Sequence, residues 1–505
     1  MTTWWRDAVV YQVYVRSFAD SGGDGVGDLP GITAHLPYIA DLGADAVWLT
    51  PFYRSPMADH GYDVADQRDV DPVFGTLADA DALLGRAHEL GLRVLVDLVP
   101  NHSSSEHPWF QEALRDPAKR GRYLFRDGVD GGPPNNWQSV FGGPAWTQVP
   151  DGQWYLHLFD DGQPDFDWRN PEVHAEWEGI LRFWLDRGVD GFRIDVAHGL
   201  YKAVDLADNP PGLSSDGPLF HASSMPRAWD QPEVVDVYRR WREITDGYPD
   251  RVMVGEVFLS RVQRVARYVG PSLLHQSFNF PLVAADLDAA TWRRMIEESL
   301  AAFDVEGAGP TWVLSNHDVV RHATRYGGGP EGVARARAAT LTLLGLPGSP
   351  YLYQGEELGL EQDDVPPEAR QDPVWLRSGG TEPGRDGCRT PLPWTPEPPG
   401  HGFTTGTPWL PFGAQAVERN VASEPATLEF YRRALALRRE IRDELPRDVV
   451  WHELGEDVLG YSRGTLTVVL NTGASAVPLP DGEPLIASRP LHDELPPGTA
   501  VWLRT

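Results

Sequence analysis

Apolar residues along this chain gather into short runs of Val, Ile, Leu and aromatics that alternate with stretches of helical period. That alternation predicts a parallel sheet whose strands are joined by crossover helices. Eight runs stand out: 9–15, 46–49, 94–98, 191–195, 252–257, 274–278, 311–314 and 351–353. Helical patterns lie between them, as at 172–187 and 334–344. Four acids end such runs: Asp97 in DLVPNH, Asp195 in GFRID, Glu256 in VMVGEV and Asp318 in WVLSNHD. Carboxylates at the ends of several strands of a β/α chain point to the C-terminal mouth of a barrel, where such folds carry their chemistry. A glycosidase is the first expectation.

Two stretches interrupt the alternation. The gap between the third and fourth runs is too long for one crossover, and residues 103–168 are rich in Gly, Pro, Asp and aromatics without sustained periodicity, which predicts an inserted subdomain. Residues 361–420 hold many of the prolines and follow the eighth run, so they are expected to overhang the mouth as a long loop and form part of its wall. After the helix-like ALALRREIRDEL the pattern turns to alternation and turn signals, which predicts a small antiparallel β domain. The predicted division is therefore 1–102 and 169–445 for the barrel, 103–168 for the insertion, and 446–505 for the C-terminal domain. No internal repeat of about 20 to 50 residues is present.

Composition narrows the chemistry. With 505 residues, 41% hydrophobic and 23% charged, the chain has ample material for a barrel and its attachments. A formal charge of −29 argues against a nucleic-acid partner and favours a neutral small molecule. Acidity at the surface needs no explanation beyond solubility. Neither a signal-like N-terminus nor a long uncharged apolar run supports export or a membrane span, so the cytoplasm is the default expectation; the oligomeric state is left open, with a monomer favoured. The single cysteine, Cys388, excludes an internal disulfide and is assigned no role.

Hydrolysis of an acetal needs one carboxylic acid to protonate the leaving oxygen and one carboxylate to attack or stabilise the anomeric carbon. Asp195 and Glu256 are the pair proposed for this. Arg193 lies two positions before Asp195, so both side chains point to the same side of a strand and the cation can hold the carboxylate ionised. Glu256 ends an apolar strand, where partial desolvation raises its pKa as a general acid requires. Asp318, next to His317, is placed to engage vicinal sugar hydroxyls. Each residue has a structural alternative: helix capping for Asp318, and an ion pair for Arg193 with Asp195.

With these segments in order, joined by GADAVWLTP, QPDFDW and GSPYLYQGEELGL, the chain resembles the alpha-amylase superfamily, and within it the oligo-1,6-glucosidase and alpha-glucosidase branch. The resemblance runs nearly end to end. It implies a (β/α)8 TIM barrel with a B subdomain inserted after the third strand and a C-terminal antiparallel β-sandwich. It implies Asp195 as nucleophile, Glu256 as acid/base and Asp318 as transition-state stabiliser, with Arg193, His102 and His317 binding the sugar whose bond breaks. Asp59 and Tyr62 in ADHGYD resemble the residues that hold a terminal glucose. Arg389 in CRTPLPW resembles the arginine that pairs with that aspartate and closes the pocket to chain ends. Phe141 resembles an aromatic of the same pocket.

DSGGDGVGDL resembles the calcium loop of this branch, with Asp20, Asp24, Val26 and Asp28 as ligands; Gly22 departs from the pattern and leaves one ligand missing. Asn101 is expected to brace its loop and not to bind calcium. The implied activity is retaining, exo-acting hydrolysis of terminal alpha-linked glucose. Val196 resembles the choice associated with alpha-1,6 cleavage, whereas VAHGLYK is closer to maltose-accepting alpha-glucosidases of the actinobacterial type, so alpha-1,4 is favoured with isomaltase action as the alternative. Sucrose isomerases and trehalose synthases would retain the same triad, although VVRHATRYGGG lacks the charged stretch of the sucrose isomerases. The family's non-catalytic transporter heavy chains carry a membrane anchor and lack the triad.

Overall fold

The computed structural model describes residues 3–212, 225–304 and 308–505. Its centre is an eight-stranded parallel sheet: β1 (Val10–Val13), β2 (Ala46–Leu49), β3 (Arg93–Leu98), β4 (Gly191–Ile194), β5 (Val252–Gly255), β6 (Gln276–Ser277), β7 (Thr311–Val313) and β8 (Ser349–Tyr353). The spatial order β6-β5-β4-β3-β2-β1-β8-β7 is that of a barrel opened between β6 and β7. Side chains bridge the opening: the Thr311 hydroxyl donates to the Ser277 carbonyl at 3.0 Å and accepts from the Asn279 N–H at 3.1 Å. This explains why the run 274–278 yields a strand of only two residues. Its pairing is confined to β5, and Phe278 instead joins a small apolar cluster with Phe280 and Tyr351.

Helices cover the barrel, and their ends are written in the sequence. The helix α1 (Leu29–Leu42) starts at Asp28, whose carboxylate accepts from the Gly31 N–H, and stops at Gly43 with φ 104. In α2 (Leu77–Glu89) a capping box joins Thr76 and Asp79. Asn170 caps α3 (Pro171–Arg187), which buries Trp177, Ile180, Leu181 and Trp184 on one face. Trp184 is fully buried, lies edge-on to Phe52 and donates its indole N–H to the Gln67 carbonyl. Truncating such a side chain to alanine costs about 3–5 kcal/mol. The strands read as nearly continuous apolar runs because helices and the barrel interior cover both of their faces.

Residues 103–168, after β3, hold the helix Pro108–Arg115 and a three-stranded antiparallel sheet in which Gln153–Leu156 lies between Phe125–Asp127 and Trp146–Gln148. A buried ion pair anchors this segment. The Lys202 ammonium meets Asp165 at 2.7 Å and Asn101 Oδ1 at 2.7 Å and also reaches the Gly199 carbonyl, while Asn101 Nδ2 donates to Asp165. Asn101 thus braces the loop, and one of only two lysines serves as its fastener. At the C-terminus a five-stranded antiparallel sheet (Val450–Glu453, Val458–Arg463, Leu466–Asn471, Thr499–Arg504, Glu483–Ala487 in spatial order) packs on the helix Gly329–Leu344. Trp502 and Tyr461 donate to that helix's Leu341 and Thr342 carbonyls. Among the described residues no helix is long and apolar enough to cross a membrane.

Candidate active site

Parallel register sets the two principal acids side by side. Ile194 of β4 pairs with Gly255 of β5, so the next residues, Asp195 and Glu256, leave adjacent strands together. The Glu256 N–H donates to the Ile194 carbonyl and the Ala197 N–H to the Glu256 carbonyl, which continues the ladder past the strand ends. Gly255 permits this closeness, since a Cβ there would lie 3.2 Å from that of Ala197 and 2.5 Å from Leu274 Cδ1. The turn after Asp195 is strained: Val196, β-branched, has φ 45. Its N–H donates to Glu256 Oε2 at 3.2 Å, so the distortion directly links the two acids.

Arg193 binds three carboxylates. Its Nη1 donates to Asp195 Oδ1 at 2.7 Å and to Asp97 Oδ1 at 2.8 Å, and its Nη2 donates to Glu256 Oε1. The same-side placement expected of Arg193 and Asp195 is therefore present. Asp97 pairs with Arg193 across β3 and β4, is wholly buried, and also accepts from Trp48 Nε1 and the Tyr62 hydroxyl. It stands behind Asp195 and Glu256 as a brace.

One guanidinium cannot offset three buried carboxylates. Burial pushes Glu256 up to about 7, with the charges of Asp318 and Asp97 adding to it and Arg193 opposing. Burial likewise pushes Asp195 well above the ordinary carboxylate range against the pull of Arg193, and Glu256 and Asp97 push the same way. Such groups titrate as a unit, and the unit holds a proton near neutrality. Of the two, Glu256 is the more enclosed, with 2% of its surface exposed against 6% for Asp195.

Asp318 behaves oppositely. Burial works to raise its pKa, but neighbouring cations hold it far below the usual range. Arg389 Nη2 donates to its Oδ1 at 2.9 Å and Arg385 Nη1 at 3.0 Å, while His317 Nε2 lies 3.2 Å from Oδ2. Burial and these same arginines push His317 well below its ordinary value, so the ring is neutral near pH 7 and the two arginines carry the attraction. The His317 ring stacks between Tyr14 at 5.5 Å and Tyr62 at 5.3 Å, and its Nδ1 lies 2.7 Å from Gln12 Nε2.

The expected partner of Asp59 is corrected by the structure. Arg385, not Arg389, pairs with Asp59, through Nη2 at 2.8 Å. The two arginines lie one helical turn apart around the short helix Asp386–Arg389. Arg389 is wholly buried, with its Nε on the His317 carbonyl and its Nη2 on Asp318. Arg385, at the N-cap of the helix, reaches into the cavity, joins Asp59, Asp318 and Asp372, and lies over the Phe141 ring at 5.0 Å. Burial raises Asp59 to about 6 in spite of both arginines. Gln163, of QPDFDW, was not singled out from the sequence, yet its Nε2 donates to Asp59 and lies 3.1 Å from His102 Nε2.

These groups line one cavity of about 610 Å³ at the barrel mouth. Asp59, Tyr62, His102, Phe141, Asp195, Glu256, His317, Asp318 and Arg385 all reach it. Arg193 and Arg389 stand behind it. The long loop 361–420 supplies Arg385 and Val374, and so forms part of the wall. His102 is neutral near pH 7, since burial lowers it to about 4.

The loop 20–28, whose Asp20, Asp24, Val26 and Asp28 are the expected calcium ligands, lines no part of the cavity. Asp28 caps α1 and also accepts from Ser21 and Gly22. Asp20 accepts from the Gly23 and Gly25 N–H groups and the Thr404 hydroxyl, and Asp24 from the Val26 N–H. The carboxylates are thus engaged by N–H and O–H donors, and among the described residues no three His, Cys, Asp or Glu side chains are set to share a metal ion. A melting curve with calcium and with EDTA tests the site: a calcium-dependent rise of several degrees shows that the folded loop binds the ion, and no shift shows that it does not.

Strand-end carboxylates gathered on one guanidinium inside a barrel mouth define a glycoside hydrolase site. The sequence profile of the alpha-amylase catalytic domain matches residues 12–446. A probable alpha-glucosidase of Rhizobium meliloti is 42% identical, over 91% of this chain and 87% of the relative. The oligo-1,6-glucosidase of Parageobacillus thermoglucosidasius is 36% identical, over 86% and 84%. Among solved structures, the alpha-glucosyl transfer enzyme XgtA superposes with a TM-score of 0.89 at 40% identity over the full length of both chains. The trehalulose synthase MutB of Pseudomonas mesoacidophila superposes equally well at 32% identity, over 99% of each. The chain belongs to the alpha-amylase family of glycoside hydrolases.

Proposed function

We propose that the protein is a retaining alpha-glucosidase that releases terminal glucose from short alpha-linked oligosaccharides. The observation that carries this reading is the pairing of Asp195 and Glu256 on adjacent strands around Arg193, with Asp318 held ionised beside them. Glu256 gives its proton to the glycosidic oxygen as an Asp195 oxygen bonds to the anomeric carbon and the old bond breaks. Water then yields a proton to Glu256 and attacks the same carbon, which frees Asp195. Arg193 donates to both acids, and Asp195, the more open of the pair, is the one better able to carry charge. Glu256 is the more enclosed and feels the charge of Asp318, so the shared proton is assigned to it. Ionised Asp318 accepts hydrogen bonds from sugar hydroxyls and opposes the positive charge that develops on the ring.

Asp59 and Arg385 close the glucose end of the cavity. Arg385→Ala would strip one cation from Asp59, Asp318 and Asp372 at once, and removing one partner from a buried ion pair costs about 3–5 kcal/mol. We expect kcat/KM for maltose to fall by on the order of 10²-fold or more, mainly through KM, with longer chains becoming relatively better substrates. An unchanged KM and chain-length profile would show that the pair does not shape the site.

Linkage is proposed as alpha-1,4, with alpha-1,6 as the second reading because Val196 follows the nucleophile. Initial rates on maltose, isomaltose, sucrose and trehalose test the assignment. The highest kcat/KM on maltose supports it, whereas a clear preference for isomaltose moves the protein to the 1,6 reading. Conversion of sucrose to an isomer without glucose release would make it an isomerase.

A further inference from the structure

Arg377 lines no part of the cavity, yet it stands where two of the cavity's walls meet. It ends the short helix Pro373–Arg377 in the loop 361–420. Its Nη1 meets Asp160 Oδ2 at 3.4 Å and Asp161 Oδ1 at 3.8 Å, and its Nη2 donates to the Gly142 carbonyl at 3.1 Å. Among the described residues, these are the hydrogen bonds and ion pairs that join the loop 361–420 to the insertion 103–168. Burial and the neighbouring Asp161 raise the pKa of Asp160, and Arg377 opposes them, so two crowded carboxylates share one cation.

Each anchor of this guanidinium carries a group of the glucose end. Gly142 follows Phe141 in a tight turn whose Ser139 hydroxyl accepts from the Phe141 N–H at 3.0 Å and donates to the Phe159 carbonyl at 2.7 Å. The Asp160 N–H donates to Gln163 Oε1 at 2.9 Å, which turns Gln163 Nε2 toward Asp59 at 3.2 Å and His102 Nε2 at 3.1 Å. On the loop side, Asp372 precedes the helix and holds Arg385 Nε at 2.7 Å. Arg385 in turn lies over Phe141 at 5.0 Å and pairs with Asp59 at 2.8 Å. Three segments, 139–143, 160–163 and 372–385, thus form a closed ring of contacts, and Arg377 pins all three.

We propose that Arg377 is a positioning residue for recognition of the terminal glucose: by clasping the loop to the insertion it fixes Phe141, Gln163 and Arg385 around the sugar without touching it. This rests on the reading of that end of the cavity as the glucose site. The planar fork of an arginine reaches a carboxylate and a carbonyl in two directions at once, which a lysine ammonium does not. Asp195 and Glu256 leave β4 and β5 and are held by Arg193, and Asp318 keeps Arg389 whether or not the clasp is made. Loss of the clasp therefore falls on binding of the sugar and spares the bond-breaking step.

The test is steady-state kinetics on maltose with glucose as competitive inhibitor, each variant being checked by a melting curve. Arg377→Met should raise KM for maltose and Ki for glucose together by about tenfold, the effect of one lost charge-assisted hydrogen bond, with kcat changed by less than about threefold. Asp160→Asn keeps an acceptor for the Gly162 N–H and removes the charge, so it should move both constants the same way by about threefold. Arg377→Lys should fall between wild type and Arg377→Met. Gln163→Ala should also raise Ki, and adding Arg377→Met to it should cost less than in the wild-type background, because the two act through one path. If Arg377→Met does not fold, Asp160→Asn and Arg377→Lys decide by the same criterion. Unmoved KM and Ki in folded variants, a loss confined to kcat, or full additivity with Gln163→Ala would overturn the proposal and leave the glucosidase reading intact. Failure of the wild-type protein to hydrolyse any alpha-glucoside would overturn both.

Discussion

Asp195→Asn is expected to lower kcat on maltose by on the order of 10⁴-fold or more, because the substitution removes the atom that forms the covalent intermediate. The change is nearly isosteric, and Arg193 keeps Asp97 and Glu256 as partners, so the fold should persist. Relieving one of three carboxylates that crowd a single guanidinium should leave thermal stability equal or higher. Circular dichroism and a melting curve, run beside the kinetics, separate the two effects. Retained activity in a folded variant would remove Asp195 from the chemistry. Loss of activity through unfolding would mean that its ion pair is structural, the alternative the sequence leaves open.

Glu256→Gln is expected to lower turnover of maltose by about 10²- to 10⁴-fold, the usual range for a lost general acid. Its pH signature is more specific than its size. A general acid must be protonated, and burial pushes Glu256 up to about 7. The kcat/KM of the wild-type protein should therefore fall about tenfold per pH unit above that value, and below it stay flat until protonation of the partner carboxylate sets an acid limb. The variant should lack the alkaline limb. With an aryl glucoside, whose leaving group needs no proton, the first step should survive and the intermediate should accumulate as a burst. An alkaline limb that persists in the variant would assign that titration to another group.

Much of this arrangement is legible in the sequence because it follows from local rules. A side chain two residues back on a strand shares its face, which puts Arg193 on Asp195. Acids at the ends of neighbouring strands share a mouth. What stays hidden depends on distances that spacing does not fix. Arg385 and Arg389 stand one turn apart, and nothing in RDGCR indicates which of them reaches Asp59 and which is swallowed by the loop wall. Gln163 gains its place only because the insertion folds back over His102. The Asp20 to Asp28 loop reads as a cation site in one dimension, since alternating acids resemble ligands. In the fold they also serve as a helix cap and as acceptors for turn amides. An apolar run overstates strand length where it continues beyond the ladder, as at 274–278, because periodicity registers burial and not pairing.

Everything in this account depends on the glucosyl group passing through Asp195, which requires two inversions at the anomeric carbon and hence net retention. Proton NMR of the glucose first released from maltose, recorded before mutarotation, reads this directly. The account predicts that the alpha anomer appears first and the beta anomer grows in later. Beta-glucose as the initial product would contradict it, because a single displacement by water would leave Asp195 without its covalent role.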